Sequence, residues 1–276
     1  MRPLKFHPIL KQTLWGGERI IPYKELASGL SRVGESWELS GMPGSESVVA
    51  EGPWAGSTLS ELIGRFGAEL LGKANYARFG QEFPLLVKFI DAREDLSIQV
   101  HPDDELARKR HGKSGKCEMW YVLEAEPGAS LLTGFSRPIA PAEYERRVAD
   151  NTLTDVLNRQ AIASGDVFYL PAGRVHSIGK GSFIVEIQQS SDITYRIYDF
   201  DRRDAAGNSR ELHTELAREA IDFESSENSR ITYAPENNQE VRLVTTPYFT
   251  TSLYTLTART RCDWSATDSF VAIVLL

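Results

Sequence analysis

Three short segments concentrate side chains able to ligate a metal ion: LSIQVHPDD (96–104), EMWYVLEA (118–125) and GDVFYLPAGRVHSIG (165–179). Strand side chains alternate, so Gln99 and His101 face the same way. Pro102 ends that strand, and Asp103 caps the helix DELARKRH that follows. Glu118 shares a face with Trp120 and Val122, leaving Cys117 and Met119 on the other. In the third segment Gly165 and Pro171 bracket a strand, and Pro171-Ala172-Gly173 turns the chain so that His176 starts the return. Gln99, His101, Glu118 and His176 together supply two neutral imidazoles, a carboxylate and an amide oxygen. This hard-to-borderline donor set suits zinc in a site with an open coordination position. Gln99 is the weakest donor of the four, and its alternative role is a hydrogen bond to a bound water. His7, His111 and His213 lie outside such spacing and read as ordinary surface or core residues.

Other polar side chains fall on the same faces. Ser97 precedes Gln99 by two positions and Lys116 precedes Glu118 by two, which puts a hydroxyl and a cation on the ligand side. Lys88, inside the apolar run LLVKFIDA, either faces the pocket or snorkels out to water. Glu186 alternates away from Phe183, Val185 and Ile187 and reads as a candidate base or as a partner that orients a ligand histidine. The run ARKRHGK is tempting as a phosphate patch. It ends a helix that begins with Asp103, Asp104 and Glu105, however, and basic residues there are what the helix dipole favours.

The elements that must position these groups are mostly short strands. FPLLVKFIDA, LSIQVH, EMWYVLEA, ASLLTGF, DVFYLPAG, SFIVEIQQ, DITYRIYDF, VRLVTT and YFTTSLYTLTA are separated by turn residues, a pattern of sandwiches and barrels. Helical insertions are expected at about 57–72 and 136–160, and GNSRELHTELAREAIDFESSENSR reads as a polar, helix-prone connector. Trp15, Trp37 and Trp120 read as packing residues. The terminal run SFVAIVLL reads as a buried strand, covered by another element or continued by further sequence. With two cysteines, Cys117 and Cys262, and no CxxC, neither a disulfide framework nor a thiolate metal site is indicated. A net charge of -7 argues against a nucleic-acid or anionic-membrane partner. No apolar run is long enough to span a bilayer and no signal peptide is recognised, so the expected location is the cytoplasm.

These segments resemble the cupin motifs and, more narrowly, the type I mannose-6-phosphate isomerase family in its short bacterial form. The resemblance runs from LKQTLWGGERI through GESWELSG, FPLLVKFIDAREDLSIQVHPDD, GKCEMWYVLEA and LPAGRVHSIG to QQSSDITYRIYDFDR. It implies a mainly β, jelly-roll cupin barrel with helical insertions over residues 1–225. A partial second, smaller cupin lobe would follow over 226–276. It implies zinc-dependent interconversion of mannose 6-phosphate and fructose 6-phosphate through an enediol, with one zinc on Gln99, His101, Glu118 and His176. The family's catalytic arginine falls on Arg196, and substrate-contacting residues fall on Lys116 and Ser97. Asp192, Thr194 and Arg196 are expected on one face of a single strand at the barrel mouth. The expected partner is a small sugar phosphate, and the expected state a monomer or weak homo-oligomer. The general base is left open among acidic residues on these faces, a metal-bound water and His101. Two other readings compete: a metal oxygenase, which Gln99 disfavours, and a non-catalytic sugar-binding cupin.

Overall fold

The computed structural model describes residues 3–224 and 228–276. Two β-sheets form its frame. In the first, β1 (Ile9–Gly17), β2 (Val33–Met42), β4 (Leu85–Asp91), β11 (Ser182–Gln189), β6 (Glu118–Ala125), β9 (Val167–Leu170) and β13 (Arg230–Ile231) lie side by side in that order, with β3 (Ser45–Glu46) paired to β2. The second has the order β12 (Tyr195–Tyr198), β5 (Ile98–Val100), β10 (His176–Ile178), β7 (Ser130–Phe135), β8 (Leu157–Ala161). A separate hairpin joins β14 (Val241–Thr245) to β15 (Thr250–Leu253). From β4 to β12 the chain passes back and forth between the sheets, the jelly-roll arrangement. The molecule is mainly β, as the strand pattern predicts.

Alternation explains the layers. Trp120 and Val122 of β6 pack inward with Ile90 of β4, Ile184 of β11, and Leu131 and Ile178 of the second sheet. Met119 points the other way, into a cluster with Leu59 and Ile63 of α2 (Leu59–Phe66) and with Leu243 and Phe249 of the hairpin. The first sheet is therefore covered on both faces. This is why β4 is buried along its whole length and reads as an apolar run without alternation. The outer face of the second sheet is covered by α6 (Pro141–Ala149) and α7 (Thr214–Ala220). Further short helices are α1 (Ile20–Tyr23), α3 (Ala68–Leu71), α4 (Lys73–Phe79) and α5 (Asp104–His111).

The structure amends several expectations. The 57–72 helix starts with a Thr58/Glu61 capping box but breaks at Gly67, whose φ of 50° ends α2 and begins α3. The 136–160 stretch is helical only over α6 and a 3-10 turn at Leu153–Val156. Asn151 is left-handed (φ 54°), and Leu157–Ala161 pairs with β7 as a strand. Of the polar connector, α7 is the helix, and it buries Ala217 against the second sheet. Residues 225–227 of that connector lie outside the described residues. SFVAIVLL is not a buried strand: Val271, Ile273, Leu275 and Leu276 are exposed. Among the described residues no strand edge is paired with this run, and an apolar run without a partner ladder does not become a strand on propensity alone. β1 and β2, absent from the expected strands, interrupt their apolar residues with four glycines and several polar side chains, which hides their periodicity.

The core and the cap should differ in cost. Phe183→Ala is expected to destabilise the protein by about 3–5 kcal/mol, whereas Thr58→Ala should cost only about 1 kcal/mol. Urea denaturation with an unchanged m-value measures both.

Candidate metal centre and active site

His101, at the end of β5, and His176, which opens β10, come together because those strands pair, with Gln99 directly opposite His176. The rings lie 4.9 Å apart between centroids. Glu118 reaches them from β6 of the facing sheet. Ligating atoms of His101, Glu118 and His176 all lie within 4.8 Å of one another, and the three residues are buried.

Backbone carbonyls orient both imidazoles. Nδ1 of His101 lies 2.8 Å from the Ile193 carbonyl, and Nδ1 of His176 lies 2.7 Å from that of Arg174. A proton on each Nδ1 satisfies these contacts and leaves both Nε2 lone pairs facing Glu118. His176 Nε2 is then 3.2 Å from Glu118 Oε1, and His101 Nε2 is 3.6 Å from Oε2. His101 Nε2 and both carboxylate oxygens of Glu118 lack a well-directed hydrogen bond. Lone pairs converging in a buried space without a proton between them are what a cation resolves. The N, N, O donor set fits zinc. Gln99 stands at the edge of this group. Its Nε2 faces His176 Nε2 at 3.3 Å, and its Oε1 accepts from Ser97 Oγ at 3.3 Å. A half-turn of the amide exchanges the two atoms.

Burial would neutralise Glu118, yet the Lys116 ammonium, with Nζ at 2.9 Å, holds its carboxyl well below the usual carboxylate range. Burial and the nearby Lys116 charge keep His101 neutral, its imidazole well below the usual value. Lys116 is also 4.0 Å from Glu186 Oε1, which lies 3.1 Å from Lys88 Nζ. Lys88 is 3.7 Å from Glu35, whose Oε2 accepts from the Trp37 indole at 2.6 Å. Trp120 Nε1 donates to the other Glu186 oxygen at 3.0 Å. Charges of alternating sign therefore run Glu118, Lys116, Glu186, Lys88, Glu35. Lys88 neither snorkels nor stands free: burial opposes its charge, but Glu186 and Glu35 hold its ammonium above the usual lysine range. Glu186 supports the two lysines and orients neither histidine.

The catalytic-domain model of type I phosphomannose isomerase matches residues 4–133. The mannose-6-phosphate isomerase of Streptococcus mutans is 34% identical over 275 residues, covering 99% of this chain and 84% of that protein. The chain belongs to the type I phosphomannose isomerase family. ManA, a mannose-6-phosphate isomerase of Bacillus subtilis, is 39% identical over 224 residues, 81% of this chain and 69% of the relative. A crystal structure of mannose 6-phosphate isomerase from Bacillus subtilis superposes with a TM-score of 0.82 at 32% identity, over 91% of this chain and 79% of that one. The cupin-type arrangement expected from the motifs is thus the fold of this family.

Beside the metal-ligand cluster, Arg196 of β12 pairs across the ladder with Gln99. Its Nη1 donates to the Glu211 carbonyl at 2.9 Å. Burial and the repulsion of Arg210 lower its pKa from the ordinary arginine value. Arg202 and Arg210 both bind the buried carboxylate of Asp199, at 3.0 and 2.7 Å. Three guanidiniums thus gather around one carboxylate. Arg210 also lines a cleft of about 570 Å³ with Gln12, Trp15, Arg32 and Glu35.

The paired strand β12 begins at Tyr195, but alternation extends back to Asp192. Ile193, Tyr195 and Ile197 are buried in one core cluster, while Asp192, Thr194 and Arg196 alternate with them on the less buried side. Asp192 is exposed and pairs with Lys113 at 2.9 Å. Arg202, Arg210 and Glu35 are not among the residues that the sequence singles out, and Trp37, which reads there as a packing residue, also donates to Glu35. The i, i+2 pair Glu35 and Trp37 in GESWELSG was the one available signal, since both fall on one strand face.

Zinc at about a hundred times its Kd should raise the unfolding free energy by about 2.7 kcal/mol. His176→Ala should abolish that stabilisation, as read from the melting temperature with and without the ion.

Proposed function

We propose that this protein is a zinc-dependent isomerase that interconverts mannose 6-phosphate and fructose 6-phosphate through an enediol. The observation that carries the reading is the set of inward, proton-free donors of His101, Glu118 and His176 beside two fixed cations, Lys116 and Arg196. The names of the family relatives point to the same substrate.

The reaction takes a proton from C2 and returns one to C1, exchanging carbonyl and hydroxyl without any external oxidant or reductant. It needs groups that hold negative oxygen, not a redox centre. His101, Glu118 and His176, with Gln99 beside them, would hold the ion, which when bound supplies Lewis-acid polarisation of the sugar oxygens. Arg196 places a permanent positive charge against the developing enediolate, and its partial burial strengthens that interaction. Lys116 is held between Glu118 and Glu186, so its ammonium is pre-oriented toward the same space. Lys88 acts from beneath, as the counter-charge that keeps Glu186 in place.

The phosphate needs donors that the overall negative charge does not provide. Arg202 and Arg210 together outweigh the one carboxylate of Asp199 that they share, and their remaining positive charge offers a local attraction for the phosphate. Ser97 and the exposed Asp192 complete the substrate contacts, with Ser97 also fixing the Gln99 amide.

A coupled assay of mannose 6-phosphate conversion tests the reading: turnover should vanish with chelator and return with zinc. Arg196→Ala should lower kcat by about a hundredfold to a thousandfold with zinc still bound. Near-normal turnover of that variant would refute the role of the arginine, and a zinc-loaded protein that leaves mannose 6-phosphate unchanged would refute the function.

A further inference from the structure

Asp104 lies on α5 three residues after His101. Its Oδ1 accepts from the Gly115 amide at 2.9 Å and from Gln189 Nε2 at 3.0 Å, while Oδ2 accepts from the Tyr248 hydroxyl at 2.9 Å. Each partner belongs to a different part of the site. Gly115 stands three residues before Glu118, and Gln189 three after Glu186 on β11. Tyr248 sits at the tip of the β14–β15 hairpin.

The segment these bonds hold is closely constrained. Lys116 N donates to the Pro102 carbonyl at 3.1 Å, tying the residue after Gly115 to the one after His101. Gln189 grips Cys117 twice, its Oε1 accepting from Cys117 N at 2.9 Å and its own N donating to the Cys117 carbonyl at 3.2 Å. A Cβ on Gly115 would come within 2.4 Å of the Asp103 carbonyl carbon, so the two segments are in backbone contact. On the outer face of β6, Phe249 of the hairpin packs in the same cluster as Cys117 and Met119. Thr246 holds the hairpin tip, its hydroxyl accepting from the amides of Tyr248 and Phe249 at 3.0 Å each.

We propose that Asp104, anchored by Tyr248, is a positioning residue that sets the spacing between His101 and the Lys116–Glu118 segment, so that the β14–β15 hairpin helps to shape the metal centre without touching it. The inference rests on His101, Glu118 and His176 being the zinc ligands. Its physical basis is that a ligand set on separate strands keeps its spacing only if the backbone behind each ligand is fixed.

The test uses the full chain carrying Asp104→Ala, Asp104→Asn or Tyr248→Phe. Zinc affinity is measured by competition with a chromophoric chelator, and amide exchange at Gly115 and Cys117 is measured in the metal-free protein. Asp104→Ala should weaken zinc binding about tenfold to a hundredfold and speed exchange of both amides. Asp104→Asn should recover most of the affinity, because its carbonyl still accepts from Gly115 and Gln189. Tyr248→Phe keeps the ring packing and should cost about fivefold, the worth of one hydrogen bond. In the mannose 6-phosphate assay, kcat should fall in all three variants more than KM rises. A folded Asp104→Ala protein with wild-type zinc affinity and exchange would overturn the proposal. If that variant does not fold, unchanged affinity and exchange in Tyr248→Phe would overturn it equally. If the wild-type chain binds zinc but does not isomerise the sugar, the function proposed above falls, while the affinity comparison still decides the role of Asp104.

Discussion

A carboxylate with no exposure to water lies at the centre of this molecule: Glu118, between two sheets. An isolated buried charge would cost more than the whole net stability of a folded domain. Much of the surrounding polar structure follows from offsetting it. Lys116 supplies the nearest positive charge, and the two imidazoles present lone pairs that only a cation can bring together with the carboxylate. Each compensating charge is itself buried and needs its own partner. The result is the alternating series that continues through Glu186 and Lys88 to Glu35 near the cleft lined by Trp15 and Arg210. Such a series is a weak source of net stability, because desolvation takes back most of the Coulomb energy. Its value lies in holding side chains at fixed distances.

The jelly-roll topology makes this possible. Chain crossings between the sheets put His101 and His176 on adjacent strands of one sheet and Glu118 and Glu186 on adjacent strands of the other. Since β6 and β11 pair with Glu186 opposite Trp120, the indole that fills the core also donates to the Glu186 carboxylate. The same residue thus serves packing and electrostatics. Hydrophobic layers outside both sheets keep water from the backbone that supports the ligands.

Two kinds of cation meet at the site, and their chemistry divides the work. The lysines are point charges locked to carboxylates inside the fold. The arginines spread charge over planar guanidiniums nearer the cleft, where bidentate donors suit a phosphate or an enediolate. That separation agrees with the proposed reaction, whose substrate would carry negative charge at one end and develop it at the other. An overall charge of -7 is no obstacle, since the attraction is local.

What the sequence determined by itself is the part encoded over a few residues. Period-two alternation placed Gln99 with His101 and Glu118 with Trp120, and the Gly-Pro-Gly spacing around His176 marked the return strand. Lys116 and Ser97 followed from the same rule, and all lie at the cluster. What only the tertiary structure decided depends on partners distant along the chain. Whether Lys88 faced the pocket or water turned on Glu35 and Glu186, one on each neighbouring strand. Asp192 keeps the face that alternation gives it, but its partner Lys113 comes from a distant loop, which no local periodicity reveals. SFVAIVLL has the composition of a strand, but a strand exists only with a ladder to join, and that is a property of the assembled sheet. Alternation is local physics and can be read directly. Charge pairing and strand pairing are settled only when remote segments meet.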